Sequence, residues 1–157
     1  MKIEVLAVGK TDDKYIDEGI RRYAERIKHY VPFELKTIPD IKNVRNMSEE
    51  QQKRLEGQAI MSELTTADVV ALLDEKGREL TSREFADFCS KTALSGAKRL
   101  VFVIGGPYGF SDEVYARANH KISLSRMTFP HQLVRLIFAE QLYRAQTIIK
   151  GEPYHHD

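Results

Sequence analysis

Two stretches of the chain hold residue types that could do chemistry. In VFVIGGPYGF, residues 101–110, a run of branched apolar residues breaks into Gly105, Gly106, Pro107, Tyr108 and Gly109. Glycine has no Cβ, so a flat or bulky ligand can lie directly on such a backbone, and Ser111 then opens a helix whose free N–H groups suit an anion. The stretch is not a phosphate loop, since no Gly-Lys-Ser/Thr follows, nor does it match the dinucleotide fingerprint. From these residues alone a tight strand-to-helix turn without a ligand stays equally open.

The second stretch runs from SLSRMTFPHQL to the terminal GEPYHHD. His131 precedes Arg135 by four positions and Glu140 precedes Arg144 by four, so on a helix each pair shares a face. Imidazole titrates nearest neutral pH, and a guanidinium stays cationic and forks toward anions. Both pairs are also ordinary helix-surface pairs. Tyr154, His155 and His156 follow Gly151 and Pro153, which end the helix. Adjacent histidines can point to a metal, but there is no HExxH and no cysteine partner, so no metal site is expected.

Strand patterns alternate with helix patterns around these stretches. Ile3 to Val8 reads as a first strand, Lys14 to Tyr30 as a helix with Tyr15, Gly19 and Tyr23 on one stripe and Ile16, Ile20 and Ile27 beside it, and Phe33 to Thr37 as a second strand. Ser48 caps a long helix with Glu49, Glu50 and Gln51 in its first turn. Val69 to Leu73 is a buried strand ending at Asp74, the chain is expected to turn at Gly77, and Thr81 or Ser82 caps a third helix. Leu100 to Ile104 is the fourth strand, Ser111 to about Ala118 a short helix, residues 121–125 the fifth strand, and His131 to Ile149 the last helix.

Continuous apolar strands, each followed by a helix, predict an α/β fold: a parallel sheet with helices on both faces. Ligands in such sheets bind beyond the carboxyl ends of the strands. Leu73-Asp74-Glu75, the glycine loop and SRMTFPHQL should therefore converge.

At 157 residues, with 42% hydrophobic and 30% charged residues, the chain reads as one domain, 1–157, able to bury its own core. No apolar run approaches the roughly 18 residues of a membrane span. MKIEVLAVGK lacks the cleavage site of a signal peptide, and Cys89 is the only cysteine, so a cytoplasmic location without disulfides is expected. A net charge of +1 announces no nucleic-acid partner by itself, although basic residues gather at 21–30 and 91–99.

VIGGPYGF after a strand, SLSRMTFPHQLVRLIFAEQLYRA downstream and PYHHD at the terminus, in that order, closely resemble the bacterial ribosomal RNA large subunit methyltransferase H family, pseudouridine N3-methyltransferases of the SPOUT class. The resemblance spans the whole chain. It implies an S-adenosylmethionine-dependent enzyme that methylates N3 of one pseudouridine in 23S rRNA, on the assembled 70S ribosome. It also implies a SPOUT-type α/β knot, a deep C-terminal trefoil knot that is an exception among folds. By the same likeness the protein is a homodimer with the last helix, which carries Leu142 and Ile149, at the interface.

Carried onto this sequence, the resemblance places the cofactor at Leu73, Gly105 and Gly106 and along Ser125, Arg126, Met127, Thr128, Phe129 and Pro130. The N3 proton must leave, for which His131 and His155 are the candidates. Arg135 and Arg144 would hold the resulting anion or flanking phosphates, and Tyr154 would stack on a base drawn from its stack. The family's terminal residues usually read Tyr-His-Arg; His156 stands in the third place here, which puts a guanidinium contact there in doubt. Two alternatives stay open: a SPOUT enzyme acting on another RNA such as tRNA, and a non-catalytic module that binds a nucleotide or the ribosome.

Overall fold

Alternate residues along each buried strand feed two separate apolar clusters, and this divides the molecule into layers. In the computed structural model, which describes residues 1–157, Ile3, Val5 and Ala7 join one cluster while Leu6 and Val8 join the other. Leu100, Phe102 and Ile104 part from Val101 and Val103 in the same way. Both faces are apolar because both are covered, as expected of parallel strands.

The five strands are β1 (Lys2–Val8), β2 (Phe33–Ile38), β3 (Val69–Glu79), β4 (Arg99–Ile104) and β5 (His120–Ser123). They lie in the order β2-β1-β4-β3-β5, and every pairing is parallel. Helices α1 (Lys14–Ile27), α3 (Ser82–Leu94) and α5 (Leu133–Ile149) cover one face through Ile27, Phe85, Phe138 and Leu142. Helices α2 (Glu49–Ser62) and α4 (Asp112–Arg117) cover the other through Ile60 and Val114. Leu142, on the helix expected to meet a second copy, has no exposed surface and belongs to this chain's own core, whereas Ile149 is 40% exposed.

Three helices start where a hydroxyl replaces a missing backbone partner. Ser48 accepts the Gln51 N–H at 3.1 Å, Thr81 the Glu84 N–H at 3.1 Å and Ser111 the Val114 N–H at 3.4 Å. Of the two residues offered for the third cap, Thr81 performs it, and the Ser82 hydroxyl instead donates to Gln141. The last helix begins at Leu133, so His131 stands in the turn before it and not in its first turn.

The turn expected at Gly77 is replaced by an irregularity within a longer strand. Ile122 of β5 pairs with both Leu73 and Arg78 of β3, and residues 74–77 form the bulge between them. Glu-Lys-Gly carries a local turn signal, but pairing with a strand more than forty positions away overrides it. A Cβ on Gly77 would stand 2.7 Å from the Ile122 nitrogen, so the bare residue lets the bulge lie flat on β5.

At the amino ends of the strands Arg99 gathers three elements. Its guanidinium donates to Glu4 of β1 at 2.7 Å, to Asp68 before β3 at 2.8 Å, and to the Glu63 carbonyl after α2 at 2.9 Å. The Arg99 contact holds the buried Asp68 carboxyl below its ordinary range. A carboxyl depressed on folding contributes stability in full above the unfolded value, about 3.9, and loses it as pH falls through the lower folded value. Asp68→Asn is expected to cost about 2 kcal/mol at pH 7. Its urea midpoint should approach that of the wild type near pH 3, and an equal deficit at both pH values would exclude this origin.

Candidate active site

The irregularity within β3 and the loops beyond the carboxyl ends of β4 and β5 meet around a cleft of ≈ 320 Å³. That volume lies at the small end of the roughly 300–1,000 Å³ typical of ligand sites. Leu73, Asp74 and Glu75 form one side, Gly106 and Pro107 the second, and the loop from Ser123 to Phe129 the third, with His131 and Val134 completing the lining. The three segments singled out in the sequence thus do converge. A larger cleft of ≈ 540 Å³ between the starts of α2 and α4 has no apolar lining and no strand-end loop.

The loop after β5 is folded on itself. The Ser123 hydroxyl donates to the Ser125 carbonyl at 3.1 Å, and Ser125 Oγ accepts the Met127 N–H at 2.9 Å. Leu73, Ser125, Met127, Thr128 and Phe129 line the cleft, and Met127 is 78% exposed at its mouth. Arg126 points away, with 87% of its side chain exposed and Glu79 3.6 Å from it. Pro130 serves the helix behind, its carbonyl accepting the Val134 N–H at 3.1 Å. Opposite, Asp74 accepts the Tyr115 hydroxyl at 2.6 Å; burial and then this bond push the Tyr115 pKa up to about 12.

The glycines have a reason beyond ligand access. A Cβ on Gly105 would come within 2.9 Å of the Phe110 ring, and one on Gly106 would meet the Glu56 carboxylate, whose Oε2 would be 2.6 Å away. Gly106 exposes its backbone to the cleft while its missing side chain makes room for protein behind it; Gly105 lies behind the cleft and does not line it. Gly109 alone of these loop residues has a positive φ, 81°, in the region glycine enters freely.

His131 and Arg135 do share a face, with Nε2 and Nη2 3.2 Å apart. His131 stands exposed at one end of that face, and Arg135 is buried at the other. Arg135 has no exposed surface and donates to the carbonyls of Val8 at 2.9 Å and Gly9 at 2.7 Å and to the Thr11 hydroxyl at 2.9 Å. Burial pushes its guanidinium pKa down, with Asp40 and Asp12 opposing. The expectation that Arg135 holds a substrate anion is corrected: it braces the end of β1 against α5. His131 Nε2 also lies 3.3 Å from the Val8 carbonyl. An arginine can only donate, so while Nε2 accepts from Arg135 the ring proton sits on Nδ1; Nδ1 is free to accept a proton only in the other tautomer, whose Nε2–H points to the Val8 carbonyl and gives up the Arg135 bond.

The tail is ordered and folded back. The Tyr154 ring sits 4.7 Å from that of Tyr143 and under the Arg144 guanidinium at 4.8 Å. Burial first, then a bond to Tyr23, pushes the Tyr154 pKa up to about 12. Arg144 Nη1 is 3.1 Å from His155 Nδ1, and His155 Nε2 is 2.8 Å from Asp157, which also accepts from Arg83 at 2.9 Å. An arginine can only donate, so in this arrangement Nδ1 accepts, Nε2 carries the proton, and no lone pair of His155 is free. Arg144 is further held by Glu140 at 2.8 Å.

Within one chain these two groups stand apart. His131 precedes Leu133, the first residue of α5, while Tyr154 and His155 pack on its last turns. From Leu133 to Arg144 the helix axis rises roughly 16 Å. Sequence reasoning missed Glu56, buried beside Gly106. Its signal was an acid three and four positions from apolar or small residues on the covered side of α2, weak because that helix has little amphipathic contrast. No group of three or more His, Cys, Asp or Glu residues is placed to hold a metal ion, and no helix is long and apolar enough to cross a membrane.

Residues 1–155 match the family model described as "Predicted SPOUT methyltransferase". The chain is 56% identical to the ribosomal RNA large subunit methyltransferase H of Parabacteroides distasonis over 157 residues, the full length of both. It is 54% identical to the protein of that name from Christiangramia forsetii and 55% identical to that from Flavobacterium psychrophilum, each over 156 residues and 99% of both chains.

The bracing role of Arg135 gives a measurable contrast. Arg135→Met should lower stability by about 3 kcal/mol, because it strands the Val8 and Gly9 carbonyls, whereas Arg144→Ala should cost about 1 kcal/mol. Urea unfolding of the two variants checks this, and equal midpoints would contradict it.

Proposed function

This chain belongs to the SPOUT methyltransferase family, and we propose that it transfers the methyl group of S-adenosylmethionine to N3 of a pseudouridine in 23S ribosomal RNA. The reading is carried by a chain alike from end to end to ribosomal RNA large subunit methyltransferases, in which the β3 irregularity and the loops after β4 and β5 converge on one small cleft. Assembled 70S ribosomes are the proposed substrate and the cytoplasm the proposed compartment.

The cleft suits the cofactor by its chemistry. Adenine is flat and uncharged, and Leu73, Met127 and Phe129 offer apolar walls while Gly106 and the Ser125 to Thr128 loop offer backbone donors and acceptors. When bound, the sulfonium supplies a methyl group already activated for transfer. The protein must align the acceptor nitrogen and dispose of its proton. His131 lines the cleft and can take that proton at Nδ1 in the tautomer whose Nε2–H turns from Arg135 to the Val8 carbonyl.

Arg144, Tyr154 and His155 lie too far along α5 to serve the cleft of their own chain. We therefore read the active unit as a homodimer in which the tail of one copy reaches the cleft of the other. There Arg144 would meet the developing anion or a phosphate, and Tyr154 would leave Tyr143 to stack on the extruded base. The proposed C-terminal knot is supported by the strand order: the chain leaves β4, passes β3 and returns as β5 on its far side.

Transfer of labelled methyl from S-adenosylmethionine should be seen with 70S ribosomes lacking the modification. Label on 50S subunits or tRNA instead would move the substrate, and no label with any RNA would overturn the reading. A His131→Ala chain and a chain ending at Pro153 should each be inactive alone, and their mixture should regain activity by pairing one intact cleft with one intact tail. A mixture as inactive as its parts would place the whole site within one chain.

A further inference from the structure

Behind the cleft wall lies a carboxyl group that the reaction as described does not use. Glu56 on α2 is only 4% exposed. Its Oε2 is 3.3 Å from Gln52 Nε2, while Oε1 is fully enclosed and has no hydrogen-bond partner. Both oxygens fall within 2.6 Å of the position a Cβ on Gly106 would take. Gly106 itself lines the cleft, so a single bare backbone separates the unpartnered oxygen from whatever occupies it.

A buried acceptor without a partner is costly, and such a group calls for an explanation. The surrounding charges narrow it. Burial is the main influence holding the Glu56 proton on to higher pH; the Gln52 amide opposes it, Asp40 after β2 adds to it, and His131 at the cleft opposes it. The neighbouring contacts from α4, Ser111 and Val114 against Gly57, are uncharged. Nothing fixed in the protein neutralises an ionised Glu56, but a cation in the cleft would.

We propose that Glu56 distinguishes the charged cofactor from its spent form, favouring a sulfonium in the cleft across the Gly106 backbone over the neutral thioether left after transfer. The inference rests on the cofactor reading above. S-adenosylmethionine carries a positive sulfur that S-adenosylhomocysteine lacks, and the ammonium and carboxylate common to both cancel in the comparison. The cation gives the Glu56 carboxylate the opposite charge that the protein does not supply, and any proton the carboxyl carries at that pH passes to solvent. Once the methyl group has left, the sulfur is neutral, the carboxylate loses that partner, and the product loses its electrostatic hold.

The test is isothermal titration calorimetry of the full-length protein with each ligand, in two buffers of different ionisation enthalpy, between pH 5 and 8. The expected result is tighter binding of S-adenosylmethionine, with more proton release than S-adenosylhomocysteine causes and the difference growing toward acid pH, because burial raises the Glu56 pKa. Glu56→Gln, which keeps the shape, should abolish the release and lower the preference for the charged ligand by about fivefold or more. Asp40→Asn removes the repelling neighbour without touching Glu56 or Gly106, and should move the release to lower pH. An unchanged preference and unchanged release in Glu56→Gln would overturn the proposal; if that variant does not fold, an unmoved release profile in Asp40→Asn would do so. Failure of the wild type to bind either ligand would instead overturn the cofactor reading, and this inference with it.

Discussion

A guanidinium with no exposed surface joins the carboxyl end of β1 to the start of α5, and the cleft depends on that joint. Arg135 satisfies two carbonyls, those of Val8 and Gly9, where the chain leaves the sheet and has no strand partner for them. The same side chain orients His131, which lines the cleft. A cation is stable there because every contact around it is an oxygen or an imidazole nitrogen; only its Nε lacks a partner. The loop carrying Ser125 to Pro130 is thereby held from its far end, since α5 cannot shift without breaking those bonds.

Much of the layered fold was legible in the sequence because it follows from local rules. Ile3 to Val8, Glu4 aside, and Leu100 to Ile104 are apolar on both faces, and the hydroxyls of Ser48, Thr81 and Ser111 stand where helices begin. The misreadings fall where a distant partner decides. Gly77 looks like a turn until β5 lies against it. The four-residue spacing of His131 and Arg135 shows that they share a face but not whether that face meets water or the end of β1. The convergence of Leu73–Glu75 with the loops after β4 and β5 could be inferred from fold class, whereas Glu56 could not, because its importance comes from a glycine fifty positions away.

The glycine loop shows how one bare residue serves two neighbours. Its backbone is open to the cleft on one side and pressed by Phe110 and Glu56 on the other. Any side chain at Gly105 or Gly106 would disturb the packing behind the wall before it reached a ligand. The tail is likewise held by its own chain, through Tyr143, Arg144 and Asp157, and must exchange some of these contacts to act elsewhere.

The strand order also sets a schedule for synthesis. Lys2 of β1 pairs with Arg99 of β4, so one edge of the most apolar early strand waits for a neighbour that leaves the ribosome far later. At about 5–20 residues per second the wait is roughly 5–20 s. During that time β1 has only β2 beside it and offers an unpaired edge to any passing strand. The nascent chain must therefore be shielded, by the exit tunnel, a chaperone or its own helix α1, until β4 slides into the gap and closes the sheet.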